Sequence, residues 1–254
     1  MCRYVLHPES TRRFSSRRPP ALLRAIYEKA ANCGAVVLLA LSVVAPGRPA
    51  VAAQSYPDLF GTRELHSENL TMFPKWRGML DRYAAERRTC QAGPCKDYGW
   101  GALVDRERGK DLPTQLREIN GAMNHRPYVS DLANWHVQDY WATPLEFMAR
   151  GGDCEDYAIA KYMALRELGF PVDDMRVVVL NDLNLGVAHA ILVVYVKGTA
   201  LVLDNQISTV IPADAIHHYR PVYSINEHGW WLHRSETGNI AANDTSNPAV
   251  TAAR

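Results

Sequence analysis

The sequence predicts an α+β fold, a helical N-terminal lobe packed on a C-terminal antiparallel β-sheet, and two patterns along the chain carry that prediction. From about Phe73 to Gly169 apolar residues recur at helical spacing. From about Met175 to His233 they fall into short runs rich in Val, Ile, Tyr and Trp, with turn residues between. Helices first and strands later, without an internal repeat, read as one domain of two lobes. Its cleft is expected between the last helix and the sheet.

Residues 1–53 are set aside before any argument about the fold. They carry eight Arg or Lys and two Glu, an apolar run at 35–45, and the small residues Val51, Ala52 and Ala53. Cationic, then apolar, then small is the order of a secretory signal, so cleavage is expected before Gln54, an uncleaved anchor being the alternative. The whole chain is +1, which leaves the remainder at −5. An acidic chain without a basic stripe excludes nucleic acid as a partner. The domain is expected over 54–234, and the small, polar segment 235–254 is expected to stay disordered.

Within the helical half, Trp76, Met79, Leu80 and Tyr83 form one stripe and Leu112, Leu116, Ile119 and Met123 another, with Pro113 suited to a helix start. Trp135, Tyr140 and Trp141 could wall a groove, though core is the expectation for Trp141. Cys90 and Cys95 are five positions apart. In an oxidising compartment they could close a small disulfide; reduced thiols or a pair of metal ligands are the alternatives. Zinc is disfavoured, because no second cysteine pair accompanies them and His217 and His218 are adjacent.

The most chemically loaded stretch is Gly151-Gly152-Asp153-Cys154-Glu155-Asp156, which puts a lone cysteine in the first turn of a helix. Unpaired N–H groups and the helix dipole favour a thiolate there. The glycines are expected to open a path for a substrate carbonyl. Ala158, Tyr162, Leu165 and Leu168 mark the buried face, leaving Lys161, Arg166 and Glu167 outside, and Gly169 ends the helix. Asp153 as a simple cap on a structural helix is the competing reading.

Downstream, residues 187–196 and 199–204 flank Lys197-Gly198 and read as a β-hairpin. With a two-residue loop Val196 faces Thr199, Ile191 faces Asp204, and His189 shares their face. A three-residue loop without a bulge would put His189 and Asp204 on opposite faces. Cys154, His189 and Asp204 thus have the order and settings of a nucleophile, a general base and its orienting acid.

These residues carry a resemblance. Asp139-Tyr-Trp-Ala-Thr-Pro-Leu-Glu146, Gly151-Gly-Asp-Cys-Glu-Asp-Tyr157, Ala188-His-Ala190 and Leu203-Asp-Asn-Gln206 resemble the bacterial transglutaminase-like cysteine proteinases, most closely the periplasmic LapG-type proteases. The resemblance runs from about Leu59 to about Trp231 and implies a papain- or transglutaminase-like fold. It implies Cys154 as nucleophile, His189 as base and Asp204 as third member of the triad. It also implies Ca²⁺, with ligands falling on Asp153, Glu155 and Asp156. Physics adds a reason for a cation. Three carboxylates within two residues of Cys154 raise its pKa, and a bound Ca²⁺ reverses that sign. Ca²⁺ takes six to eight oxygens, so more must come from elsewhere. The segment from Asp182 through Asn184 to Gly186 could add some, though a simple turn is the stronger reading. No EF-hand loop is present.

The expected function is therefore a calcium-dependent periplasmic cysteine endopeptidase. By resemblance its substrate is the N-terminal region of a large secreted adhesin that attaches cells in biofilms, and an inner-membrane receptor for cyclic di-GMP sequesters it. A transglutaminase-type acyltransferase and a non-catalytic calcium-binding module are the alternatives.

Overall fold

The computed structural model describes residues 56–235; the expectations for the export segment and for the polar tail beyond Ser235 lie outside these residues. Seven strands, β1 (Thr62–Ser67), β2 (Met175–Asp182), β3 (Val187–Val196), β4 (Thr199–Leu203), β5 (Ile211–Pro212), β6 (Tyr219–Ile225) and β7 (Trp230–Ser235), form one sheet in the order β1-β7-β6-β2-β3-β4-β5. All neighbours are antiparallel. Among the described residues six α-helices accompany it: α1 (Pro74–Ala92), α2 (Trp100–Glu107), α3 (Leu112–Asn124), α4 (Asp131–Trp135), α5 (Pro144–Arg150) and α6 (Cys154–Glu167). The chain has the α+β architecture that the sequence predicts, helices packed on an antiparallel sheet. One element departs from the helices-then-strands order. β1 precedes the helices and pairs with β7 at the sheet's far edge, a long-range pairing that no local pattern announces.

The central strands are apolar on both faces because both are covered. Val177, Val179, Ala190, Leu192 and Val194 face the core beneath α6, while Val178, Leu180, Ile191 and Val193 pack with Leu59, Ala213, Ile216 and Tyr219. The expected stripes on α1 and α3 are buried, with Leu80 and Leu112 at their margins. Trp141 is core, packed edge-on against Trp76. Cys90 and Cys95 form a disulfide between the end of α1 and the turn that follows it. Among the described residues no helix is long and apolar enough to cross a membrane.

Helix α6 differs from the amphipathic helix expected. Every residue from Asp156 to Leu165 is buried, Lys161 included, because the sheet lies against one side and α3 and α5 against others. Arg166 is exposed and Glu167 is half-buried. Gly169, at φ +91°, sits one residue past the cap, with Gly169 N–H bonded to Arg166 O and Phe170 N–H to Leu165 O, the paired bonds of a Schellman ending.

Candidate active site

Two glycines turn the chain from α5 into α6, and close packing requires both. Gly151 has φ +75°, and a Cβ there would stand 2.2 Å from the Pro127 carbonyl oxygen. A Cβ on Gly152 would stand 2.2 Å from Asp156 Oδ2. The glycines therefore let the Pro127 carbonyl and the Asp156 carboxylate approach the chain closely just before Cys154. Gly152 O also accepts from Val129 N–H at 2.9 Å, tying residues 128–129 alongside.

Cys154 opens α6 with Asp153 at its N-cap. Asp156 accepts the Asp153 N–H at 3.3 Å, so the first turn is closed by its own acid. The thiol donates to Glu155 Oε2 at 3.3 Å, and the Ala190 amide, one residue beyond His189, points at the sulfur. Burial pushes the thiol pKa well above its usual value, and the charges of Glu155 and Asp153 push it further; the Ala190 amide pulls the other way. The helix end thus does not by itself yield a thiolate here, because desolvation and like charge outweigh it.

The hairpin forms in the register that parity predicts. Lys197 and Gly198 both take positive φ, 48° and 81°, as the tight two-residue turn requires, and Val196 pairs with Thr199 and Leu192 with Leu203. One step further, Asp204 accepts from His189 Nε2 at 2.9 Å, both side chains being buried. Gln206 N–H donates to the same Oδ1 at 2.8 Å and the Tyr219 hydroxyl to Oδ2 at 2.6 Å, while Asn124 holds the Asp204 carbonyl at 2.7 Å. Burial alone would raise the Asp204 pKa, but the bonds from His189, Gln206 and Tyr219 hold it below the usual carboxylate range. An ionised acid must receive a proton from Nε2, which leaves Nδ1 as the ring's lone-pair nitrogen. The Gln206 side-chain amide lies 3.5 Å from Nδ1. Cys154 makes no hydrogen bond to His189 in this state; its partner is Glu155.

Asp153, Glu155 and Asp156 come together as expected, and two acids that sequence reasoning missed join them. Asp131, Asp153 and Asp156 form one cluster, and Asp131, Asp139 and Glu155 another, each with carboxylate oxygens within 4.8 Å. Asp131 and Asp139 lie 14 to 25 residues upstream of the others, with no local spacing to reveal them. Oδ1 atoms of Asp131, Asp139 and Asp153 are buried without a hydrogen-bond partner. Burial and neighbouring carboxylates raise the pKa of Asp131 to about 6 and raise those of Asp153, Glu155 and Asp156 as well. Lys75 is paired with Asp139 through its other oxygen. Unmet, hard oxygens converging in a desolvated pocket fit a divalent cation such as Ca²⁺. Asp156 is partly committed already, since its Oδ1 accepts the Ala142 N–H at 2.7 Å. Asp182 contributes nothing here: its Oδ1 accepts from Asn184 and Leu185 N–H at 2.8 and 3.1 Å, a turn completed by its own carboxylate.

Lys161 is the other residue misread. Two turns below Cys154, its ammonium is buried, without a hydrogen-bond partner, and 5.9 Å from the Tyr157 ring. Burial lowers its pKa to about 7, against the pull of Asp204.

The family model for the bacterial transglutaminase-like cysteine proteinases matches residues 88–238, more than half of the chain and the whole of the site. The chain belongs to this family. Among solved structures, calcium-bound Legionella pneumophila LapG is 32% identical, over 61% of this chain and 92% of that one, with a TM-score of 0.51. A second structure of Legionella pneumophila LapG is 34% identical, over 59% and 85%, with a TM-score of 0.50. An EGTA-treated one is 31% identical, over 67% and 95%, with a TM-score of 0.50. No curated protein matches significantly. The transglutaminase-like cysteine proteinase described here is thus a cysteine protease.

Proposed function

We propose that this protease is a calcium-dependent endopeptidase, exported to the periplasm, in which Cys154 is the nucleophile, His189 the base and Asp204 its orienting acid. The observation that carries the reading is the pocket beside the sulfur, where five carboxylates meet and three of their oxygens lack any partner. Asp131, Asp139, Asp153 and Glu155 would hold the ion, with Asp156 behind them. When bound, Ca²⁺ supplies positive charge that offsets the acids around the thiol. Structures of Legionella pneumophila LapG in calcium-bound and EGTA-treated form support a role for this ion in the family.

The residues of the chain then have defined tasks. Glu155 released from the thiol leaves Cys154 free to give its proton to His189 Nδ1, the nitrogen that Asp204 leaves open. The sulfur attacks a peptide carbonyl, and the backbone N–H of Cys154 at the helix start is suited to the developing oxyanion. His189 then protonates the leaving amine, and water hydrolyses the thioester. Resemblance points to the N-terminal region of a large surface adhesin as substrate, to its removal as a control on biofilm attachment, and to a cyclic di-GMP receptor of the inner membrane as the partner that sequesters the enzyme. The test is to incubate the mature chain with the N-terminal fragment of a large adhesin in calcium and in EGTA. Cleavage in calcium alone is expected; cleavage that persists in EGTA would remove the metal from this account.

A further inference from the structure

The acid of the site has a second anchor that the triad does not need for proton transfer. Oδ1 of Asp204 serves His189 Nε2 and the Gln206 amide, whereas Oδ2 has one donor, the Tyr219 hydroxyl at 2.6 Å. Tyr219 opens β6, where it pairs with Asp182 of β2, while Leu180 of β2 pairs with His189 of β3. The phenol therefore reaches past β2 to meet the carboxylate where it lies against His189 of β3. Its ring is buried, 5.8 Å from the His189 ring and 5.9 Å edge-on from Phe60.

A carboxylate can swivel about its Cβ–Cγ bond, and a swivelled Asp204 would present the wrong oxygen, or none, to the imidazole. A donor fixed on the opposite oxygen removes that freedom. We propose that Tyr219 is a positioning residue of this protease: its hydroxyl pins Oδ2 of Asp204 so that Oδ1 stays on His189, which keeps the imidazole's open nitrogen turned toward the thiol. The inference rests on the triad reading above. Burial and the bond to Asp204 raise the phenol's own pKa, so it remains a donor throughout the working range. The groups around the carboxylate are few. They are His189 from β3, Tyr219 from β6 and Lys161 from α6, with Asp182 acting on Tyr219 from β2.

Tyr219→Phe tests this cleanly, because the ring keeps its contacts with Phe60 and His189 and only the hydroxyl is lost. The probe is iodoacetamide, whose reaction with Cys154 in the calcium-supplied mature chain needs no protein substrate. In Tyr219→Phe the alkylation rate near pH 6 is expected to fall roughly threefold to tenfold, and its acid limb to move to higher pH, because an acid that has lost a donor binds its proton more tightly. In an Asp204→Asn background the same change should add nothing, as two residues acting through one carboxylate are not additive. Alkylation indistinguishable from wild type in Tyr219→Phe, or an equal fold loss in both backgrounds, overturns the proposal. If Asp204→Asn alone leaves alkylation unchanged, the triad reading fails first, which separates the two failures. Should Asp204→Asn not fold, the downfield proton of His189 Nε2–H in NMR spectra serves instead. It should shift upfield in Tyr219→Phe, and an unmoved resonance would equally overturn the proposal.

Discussion

The two sides of the cleft differ in how finished they are. On the sheet, Asp204 has donors on both oxygens and on its own carbonyl, and it holds its charge in spite of burial. On the helix, Cys154 is turned to Glu155, and three carboxylate oxygens nearby have no partner. Folding alone assembles the His189–Asp204 pair, the proposed base and its acid, because its bonds come from backbone and neighbouring strands. The pocket of the proposed nucleophile gathers like charges that repel, and under the proposed reading a cation completes it. The fold builds one half of the machine and leaves the other conditional.

The largest effect should come from removing the sulfur. Cys154→Ala is expected to reduce peptide cleavage at least about a thousandfold while melting within a few degrees of wild type, since a small side chain replaces another at a closed helix start. Turnover that survives this change would break the division into nucleophile and base. Asp204→Asn should cost less, roughly a hundredfold in turnover, because the imidazole remains but is poorly oriented. An unchanged rate would show that the finished side is merely structural.

The conditional side has a pH signature. Asp131 has its pKa raised to about 6, so the folded state binds more protons than the unfolded chain between about 6 and the ordinary carboxylate range. In EGTA the melting temperature should therefore rise as pH falls from about 6.5 toward 4. In saturating calcium that trend should flatten or reverse, because protons then compete with the ion. A melting temperature in EGTA that falls across the same range would mean that the acids are not strained. Asp131→Asn sharpens the point: it should weaken calcium activation severalfold and raise metal-free stability.

The smallest effect concerns Lys161. Its pKa is lowered to about 7, so the unfolded chain binds the extra proton between about 7 and 10 and stability rises with pH across that window. Lys161→Met removes a buried charge without breaking a hydrogen bond, and it should leave stability unchanged or raise it by about 1 kcal/mol, most visibly below pH 7. A loss of several degrees in the thermal melt at pH 6 would instead give the ammonium a structural partner.

What was legible in the sequence was whatever is fixed locally. The hairpin could be registered because a two-residue turn and a period of two determine which residues share a face, and His189 and Asp204 followed from that. The helix start at Cys154 could be read from its acids and the glycines before it. Lys161 could not, because periodicity assigns charged residues to solvent and cannot see that a helix is enclosed on several sides. Asp131 and Asp139 reach the acid cluster through tertiary folding of the α4 segment, and Tyr219 through a strand two places away; neither has a short-range signal. The glycines are plain in the sequence, but their contacts with Pro127 and Asp156 are not, because those depend on how the chain folds back on itself.

The Cys90–Cys95 disulfide has a consequence for stoichiometry. With those two sulfurs joined to each other, Cys154 is the single free thiol among the described residues. A thiol reagent taken up by that domain therefore counts active sites: one equivalent bound is one competent pocket, and the fraction of molecules that accept it measures how much of a preparation is in working order, independent of any substrate.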